Sequence, residues 1–401
     1  MILEQIARAA IAEMNGEKRV RAALQQEKYE AIWAVGKAGV AMARGAAHLQ
    51  ARRRLIITKE GCGGGSPVGF EVLEAAHPIP DQRGVDASSR LLAEAADLAG
   101  DARALLLLSG GASALLAVPL KPITLAMVQA ATRVLLHGGA PIGDINTVRR
   151  HLGAALGGRL AAATPARLDV LAISDVLDDD LSAIGSGPAA ADPTTLAQAI
   201  EIAQRYRLPG EVVEALRLLP ETAKPGDAIF ARVQTQLVAS PRQFLDAAVA
   251  QARARGFQPR CHNNLISGAV ETFADELATL APSLGNGEVL VAAGEPTVKV
   301  TGNGRGGRAS HLALLVAEKC SRIGGEFAFV ACASDGSDGN TPAAGAFVDS
   351  STWAESQKRG LDPGRAVAQF DSYSVLSALD RSIVTGPTGT NVTDLFLVSH
   401  V

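Results

Sequence analysis

A glycine-rich loop that carries two arginines is the segment of this sequence best suited to chemistry. Residues 297–311 read TVKVTGNGRGGRASH, a β-like run that breaks into the loop and then enters a predicted helix. Glycines let backbone N–H groups approach a ligand, and Arg305 and Arg308 add forked donors for phosphate or carboxylate. Asp335 and Asp338 lie on a turn after the next apolar run. The arginines could hold anionic groups, and the aspartates could hold Mg²⁺ or accept a hydroxyl proton. The cationic loop and the acidic turn together therefore predict phosphoryl transfer.

The same glycines support a second interpretation. Gly302, Gly304 and Gly307 match the dinucleotide fingerprint G-x-G-x-x-G, which also stands between a strand and a helix. The context differs, because the motif lies deep in the C-terminal part of the chain and two arginines crowd its turn. An NAD(P)H-dependent reductase is therefore kept as the alternative to a kinase.

Length and composition favour a large enzyme-like protein without nucleic-acid or membrane partners. The chain has 401 residues, 47% of them hydrophobic, which predicts two domains with ample cores. A net charge of −3 gives no electrostatic attraction to nucleic acid or to an anionic membrane. Four scattered cysteines suit neither a zinc site nor a disulfide scaffold. The N-terminus does not resemble a signal peptide, so we expect a cytoplasmic protein.

Strand-like and helix-like segments alternate along the chain, which predicts α/β layers with largely parallel sheets. We expect a Rossmann-like domain over residues 1–235 with a mostly parallel sheet, and a smaller mixed α/β domain over residues 236–401. Alanine-rich segments at 88–98 and 124–136 have helical spacing. The short apolar runs that predict the first strands lie at 31–35, 55–58, 104–108 and 170–173.

Residues that follow strands deserve most weight, because ligands of open α/β sheets bind beyond the carboxyl ends of strands. Lys37 follows the first run and could reach a phosphate, although an ordinary surface lysine is the alternative. Asp175 follows the fourth run and suits metal or proton chemistry. A loop of small residues follows the third run and offers backbone donors and hydroxyls for phosphate, or is merely a tight turn: Ser109, Gly110, Gly111 and Ser113.

Two further segments complete the candidates. Thr388 and Asn391 belong to a hydroxyl-rich loop near the C-terminus and are expected to contact substrate. Arg149 and Arg150 are expected near the start of a helix that runs to about Leu160, where they form a charged face.

Taken in order, these segments resemble the class II glycerate 2-kinases. The C-terminal half of that family is called the MOFRL domain, and its members have often been named hydroxypyruvate reductases. The resemblance runs almost from end to end, and its matching stretches are 34–37, 76–84, 108–116, 145–160, 172–195, 294–308, 333–345, 370–374 and 385–395.

The resemblance implies ATP-dependent phosphorylation of D-glycerate to 2-phosphoglycerate with Mg²⁺, in a cleft between two α/β domains. In that family the lysine of a Gly-Lys pair and the first arginine of G-R-G-G-R are regarded as catalytic, and they correspond to Lys37 and Arg305 here. Arg308 would assist at the nucleotide. Asp175, Asp335 and Asp338 are our candidates for the general base and for Mg²⁺ binding, and the sequence does not apportion these roles among them.

Several positions depart from the family pattern. Residues 309–311 read Ala-Ser-His where the family has Asn-Gln-Glu, Ala112 replaces a glycine, and Leu156 replaces a lysine. These departures leave the substrate and rate open. A non-catalytic protein that binds sugar acids is therefore a third alternative. The sequence does not determine the oligomeric state, and a homodimer is possible.

Overall fold

The computed structural model describes residues 1–24 and 28–400. It divides into two compact units, each described by itself below. The first unit is Gly16–Ala239, and the second unit joins Met1–Asn15 to Ser240–Val401. Residues 1–15 group with the C-terminal part because the helix that they form packs on a helix of that part, at Pro241–Arg253. The division expected from the sequence, after residue 235, falls within the strand Val233–Ala239.

The first unit is built on a six-stranded parallel sheet with the order β3-β2-β1-β4-β5-β6. This is the strand order of dinucleotide-binding folds, and it confirms the predicted Rossmann-like domain. The chain reverses its direction of winding between β1 and β4, where Val35 pairs with Leu108. The strands are β1 (Ala31–Val35), β2 (Arg53–Lys59), β3 (Glu71–Ala75), β4 (Arg103–Leu108), β5 (Arg167–Ile173) and β6 (Val233–Ala239).

Helices cover the sheet of the first unit, so β1 is buried along its whole length and reads as an uninterrupted apolar run. Trp33 on β1 packs in one core with Leu55, Leu106 and Val170 of three other strands. The helices are α2 (Gly16–Ala23), α3 (Gly39–Gly45), α4 (Gln82–Ala96), α5 (Ala112–Leu115), α6 (Leu125–His137), α7 (Ile142–Leu152), α8 (Arg159–Ala163), α9 (Leu196–Arg205) and α10 (Gly210–Leu216).

The helix predictions for this unit are confirmed for α4 and α6 and wrong for the segment around Arg149. Side-chain caps start the two confirmed helices: Asp81 accepts the Gly84 N–H at 3.1 Å, and Thr124 accepts the Met127 N–H at 3.3 Å. Arg149 does not begin a helix that reaches Leu160. It lies in the last turn of α7, because the backbone becomes extended at the next glycine, residue 153.

The second unit contains a mixed six-stranded sheet with the order β11-β10-β9-β12-β8-β7. Only β7 and β8 pair in parallel, whereas β8, β12, β9, β10 and β11 pair antiparallel in turn. The predicted mixed α/β domain is confirmed. The strands are β7 (Gln258–Cys261), β8 (Glu288–Gly294), β9 (Phe327–Ala333), β10 (Gly345–Asp349), β11 (Ser382–Ile383) and β12 (Asp394–His400).

A long buried helix organises the core of the second unit. Helix α13 (Arg308–Ile323) carries ten buried residues and packs on β9 and β10 together with Phe329 and Phe396. The other helices are α1 (Ile2–Glu13), α11 (Pro241–Arg253), α12 (Val270–Leu280), α14 (Thr352–Lys358), α15 (Pro363–Gln369) and α16 (Ser372–Ala378). Within residues 1–24 and 28–400, every helix is too short or too polar to cross a bilayer.

A carboxylate of the first unit ties α7 to the start of α9. Glu221 accepts hydrogen bonds from the Leu196 N–H at 2.9 Å and from His151 Nε2 at 2.9 Å, and its Oε1 lies 3.0 Å from Nζ of Lys224. Burial acts to raise the pKa of Glu221, but the hydrogen bonds from Leu196 and Lys224 outweigh it and lower the pKa to about 2.

We predict that Glu221→Gln lowers the free energy of unfolding at pH 7. The difference from the wild-type protein should decrease as the pH falls. Because the folded-state pKa lies below the ordinary value of 4.5, the stabilisation is present above pH 4.5 and is lost as the pH falls towards about 2. Urea unfolding of both proteins across this range measures the difference. A difference that does not change with pH would contradict the charged role of Glu221.

Candidate active site

Three predicted site segments of the first unit lie at one edge of its sheet. Lys37, the loop 109–113 and Asp175 follow the carboxyl ends of β1, β4 and β5, which are neighbours in the sheet. The pair β1 and β4 is also where the winding reverses, the position at which open α/β sheets bind ligands. The fold therefore places these segments in the region expected of a ligand site.

Lys37 packs against the loop that follows β4. Its N–H donates to the carbonyl of Gly110 at 3.0 Å. A Cβ built on Gly111 would come within 3.3 Å of Cγ of Lys37 and 3.4 Å of Cδ2 of His77, so both side chains cover this glycine. Lys37 is half-buried. His77, which follows β3, is a neighbour of the lysine that the sequence did not connect to it.

The hydroxyls of the loop after β4 have different roles. Ser109 is buried, and its hydroxyl accepts the Ala38 N–H at 3.1 Å, so it joins the ends of β1 and β4. The Ser113 hydroxyl lies 2.8 Å from that of Ser186, which is also 3.0 Å from Oδ1 of Asn146. Ser109 therefore supports the loop, whereas Ser113 belongs to a polar cluster that the sequence analysis missed.

Asp175 follows Ser174 beyond the end of β5, and it is half-buried. The Ser174 N–H donates to the carbonyl of Ala239 at 2.9 Å, and its hydroxyl accepts the Val176 N–H at 3.3 Å. Hydrogen bonds within the turn after β5 and to β6 thus hold the backbone that carries Asp175.

The glycine loop of the second unit approaches other protein segments closely. A Cβ on Gly304 would lie 2.6 Å from Cα of Asp371, and one on Gly307 would lie 2.2 Å from Oδ1 of Asp338. The Gly304 N–H donates to the carbonyl of Gln369 at 3.0 Å, and the Gly306 N–H donates to Oδ1 of Asn340 at 3.0 Å. The glycine-rich sequence predicts that these N–H groups are exposed to a ligand. Here the glycines let the loop pack tightly.

Arg305 is presented on the outside of this packed loop. Its N–H donates to Oδ1 of Asp371 at 2.9 Å, and its carbonyl accepts the Tyr373 N–H at 3.0 Å. The guanidinium carbon lies 4.8 Å from the centre of the Tyr373 ring, in a cation–π contact. The side chain is exposed, and no carboxylate of the described residues forms an ion pair with it. Its backbone is fixed while its charge faces solvent.

Arg308 has a different environment from Arg305. Its Nε and Nη2 lie 2.5 and 3.1 Å from the two carboxylate oxygens of Asp394, and its Nη1 pairs with Glu295. Burial raises the pKa of Asp394 to about 6, against the lowering effect of Arg308. The fork of Arg308, which the sequence analysis assigned to the nucleotide, is thus occupied by a buried carboxylate of its own unit.

Asp338 caps the first turn of α13. It is 2% exposed, and its Oδ1 and Oδ2 accept the N–H groups of Ala309 and Ser310 at 2.9 and 2.8 Å. A carboxylate at this position satisfies N–H groups that have no partner within the helix and offsets the positive end of its dipole. The structure therefore gives Asp338 a capping role, whereas the sequence analysis assigned it to Mg²⁺.

The cap also bears on the dinucleotide alternative. In that fold the pyrophosphate lies on the N-terminus of the helix that follows the motif. Here the carboxylate of Asp338 occupies that end of α13. In addition, β12 lies between β8 and β9, so the strands before and after α13 are not neighbours in the sheet. The geometry of the motif is therefore not that of a dinucleotide site.

Three residues after the glycine loop depart from the family pattern, and their side chains are buried inside the second unit. Ala309, Ser310 and His311 are all buried in the first turn of α13. The His311 ring stacks on Phe370 with centres 4.3 Å apart, and burial lowers the pKa of the imidazole. These side chains take part in packing behind the loop.

The remaining predicted residues meet at one edge of the second sheet. The Thr388 hydroxyl donates to the carbonyl of Ser334 at 2.5 Å, and the Ser334 hydroxyl accepts the Val392 N–H at 2.9 Å. Asp335 follows Ser334 beyond the end of β9 and is half-buried, and Asn391 is buried. Thr388, Asn391 and Asp335 thus belong to two loops that hold each other.

The acidic and histidine side chains do not form a metal cage. Across the described parts of the chain, no three His, Cys, Asp or Glu residues are grouped so that they could hold an ion. A kinase does not require such a cage, because Mg²⁺ is usually held by nucleotide phosphates and one or two carboxylates. Asp175 and Asp335 offer single carboxylates of that kind.

Comparisons with known proteins agree with this architecture. Family models match residues 2–219, a domain of unknown function called DUF4147, and residues 288–394, the MOFRL family. A D-glycerate 2-kinase of Thermotoga maritima is 35% identical over 377 residues, which are 91% of this chain and 89% of that protein. The chain belongs to the glycerate kinase family.

Two other matches extend the comparison. The crystal structure of glycerate kinase from Thermotoga maritima superposes with a TM-score of 0.87 at 33% identity, covering 100% of this chain and 99% of that one. A protein of Agrobacterium vitis that bears the provisional name hydroxypyruvate reductase is 39% identical, over 81% of this chain and 76% of that protein. The family predicted from the sequence is confirmed, and both names associated with it recur.

We predict that the two aspartates of the 334–339 turn differ in their effect on stability. Asp338→Ala removes both acceptors from the first turn of α13 and should lower the free energy of unfolding by about 2 kcal/mol. Asp335→Ala should lower it by less, because Oδ1 of Asp335 accepts the Ser337 N–H within the turn, whereas Asp338 caps a helix of 16 residues. Denaturant unfolding of the two variants measures this contrast. Equal losses would contradict the separate capping role of Asp338.

Proposed function

We propose that the protein transfers the γ-phosphoryl group of ATP to the 2-hydroxyl of D-glycerate, with Mg²⁺. Relatives that match this chain over most of its length bear the names D-glycerate 2-kinase and glycerate kinase. The observation that carries the proposal is Arg305, whose backbone is held by Asp371 and Tyr373 while its guanidinium is exposed. A fixed, uncompensated cation is what a transferring phosphoryl group requires.

Phosphoryl transfer spreads negative charge over the oxygens of the group in flight, and preorganised cations stabilise that charge. We assign this role to Lys37 and Arg305, each of which stands on backbone that is fixed by hydrogen bonds. The loop 109–113 adds N–H groups at the start of α5 and the Ser113 hydroxyl for phosphate contacts. Arg308 supports the site indirectly, because it is paired with Asp394.

A carboxylate must accept the proton of the substrate hydroxyl or hold Mg²⁺. Asp175 and Asp335 are the candidates, because both are half-buried and stand beyond the carboxyl ends of strands. The metal, when bound with the nucleotide, would neutralise phosphate charge. Thr388 and Asn391 are proposed to line the substrate side of the Asp335 turn.

The proposed function is tested by supplying D-glycerate, ATP and Mg²⁺ and coupling the product directly to enolase, which accepts 2-phosphoglycerate and not the 3-isomer. We expect product formation without added phosphoglycerate mutase. The matched assay supplies hydroxypyruvate and NADH and follows NADH oxidation, which we expect to be absent. Activity only in the second assay would overturn the kinase assignment, and signal only with added mutase would overturn the choice of hydroxyl.

We predict that Lys37→Ala lowers kcat by roughly 10²-fold or more, the scale observed when one preorganised electrostatic group is removed. The fold should persist, because a half-buried lysine at a strand end contributes little to the core. Lys121→Ala, at an exposed position of the same unit, is the control and should leave kcat unchanged. Equal kcat values for both variants would contradict the catalytic role of Lys37 and indicate an ordinary surface lysine.

We predict that Arg305→Lys impairs turnover although the charge is kept, and that Arg305→Ala impairs it more. Lysine cannot reproduce the bidentate geometry of the guanidinium or its planar contact with Tyr373. Steady-state kinetics with D-glycerate and ATP, with circular dichroism to verify folding, measure the effect. Arg365→Ala, on the exposed side of α15, is the matched control. Near-wild-type rates for Arg305→Ala would remove the central assignment.

A further inference from the structure

One arginine of the first unit carries a charge that its surroundings do not balance. Arg149 lies in the last turn of α7 and is half-buried, and burial lowers the pKa of its guanidinium. Among the described residues, no carboxylate forms an ion pair with it and no hydrogen bond of its side chain is found. The next residue, Arg150, differs, because its Nη1 lies 2.9 Å from Oδ1 of Asp192.

The cavity that Arg149 lines has no acidic side chain among its described lining residues. The arginine lines a small cavity with Ser113 and Pro80, and the other lining residues are glycine, threonine or apolar: Ala114, Ala117, Val128, Thr132, Leu152, Gly153 and Leu156. Withdrawing a charge from water without a partner is unfavourable. An arginine in such a place is explained if an anionic ligand supplies the missing partner.

The position of the cavity connects it to the proposed active site. Ser113, which lines the cavity, is two residues beyond Gly111, which is covered by Lys37. Arg149 and Lys37 are therefore both close to the loop 109–113 at the carboxyl end of β4. Asn146 lies one turn before Arg149 on α7, and the Ser186 hydroxyl lies between its Oδ1, at 3.0 Å, and the Ser113 hydroxyl, at 2.8 Å. The cation is thus next to a polar cluster that can contact hydroxyl groups.

We propose that Arg149 binds the carboxylate of the acceptor, a small 2-hydroxy acid, through its forked guanidinium. The inference rests on the proposed glycerate kinase function. It assigns the two anionic groups of the reaction, the phosphoryl group and the carboxylate, to two different cations of this unit. Lys37 faces phosphoryl charge, whereas Arg149 holds the carboxylate, for which a planar bidentate donor is suited. Recognition of the carboxylate also selects a hydroxy acid over an uncharged polyol.

The test compares Arg149→Gln and Arg149→Lys with the wild-type enzyme in steady-state kinetics. We expect the KM for D-glycerate to rise roughly 10- to 100-fold in Arg149→Gln, because a charge-assisted contact is lost, with a smaller rise in Arg149→Lys. The KM for ATP should stay within about twofold of its original value. Arg133→Gln, an exposed arginine on α6, is the matched control and should change neither constant.

Thermal unfolding distinguishes binding from a structural role. Arg149→Gln should keep or raise the Tm, because it removes an unbalanced charge, and D-glycerate should protect the wild-type enzyme and not the variant. An unchanged KM for D-glycerate, or a rise confined to the KM for ATP, would overturn the carboxylate assignment. Wild-type protein that fails to phosphorylate D-glycerate would instead overturn the proposed function.

Discussion

The carboxylate of Asp338 on the first turn of α13 is the interaction on which the second unit's cationic loop depends. It accepts the N–H groups of Ala309 and Ser310 and lies so close to Gly307 that a side chain there is excluded. The loop before the helix is thereby held against two neighbouring segments. Arg305, at its outer side, keeps a fixed backbone and an exposed charge. Preorganisation of this kind is what electrostatic catalysis requires.

The first unit achieves the same result by a different route. Its parallel strands end at one edge, and the reversal of winding between β1 and β4 leaves room there. Hydrogen bonds of Ser109 and Gly110 join the two loops at that edge. Lys37 consequently stands on rigid backbone although it is part of a turn.

Four arginines of this protein illustrate two kinds of environment. Arg150 and Arg308 are matched with buried carboxylates and support the structure. Arg149 and Arg305 have no carboxylate partner among the described residues. In a kinase of an anionic substrate, the arginines that the protein leaves uncompensated are the ones available to ligands. The lack of a carboxylate partner is not sufficient by itself, because among the described residues the exposed Arg133 and Arg365 also have none. We propose ligand contacts for Arg149 because it lines a cavity, and for Arg305 because its backbone is held in a fixed loop.

Sequence alone determined the fold class, the family and the elements with strong local signals. Short apolar runs identified β1 and β4, and alanine-rich segments with helical spacing identified α4 and α6, because these preferences act over a few residues. The long irregular motifs identified the family and selected Lys37 and Arg305 as candidates.

Tertiary structure decided the role of each charged residue, because a partner distant in sequence sets that role. Arg308 and Arg305 share one motif, yet only Arg308 meets Asp394, which lies 86 residues away. Asp338 and Asp335 share one turn, and the structure gives Asp338 the cap on the first turn of α13, which begins 30 residues earlier in the sequence. Sequence spacing does not encode such long-range pairing, so it could nominate these side chains without assigning their roles.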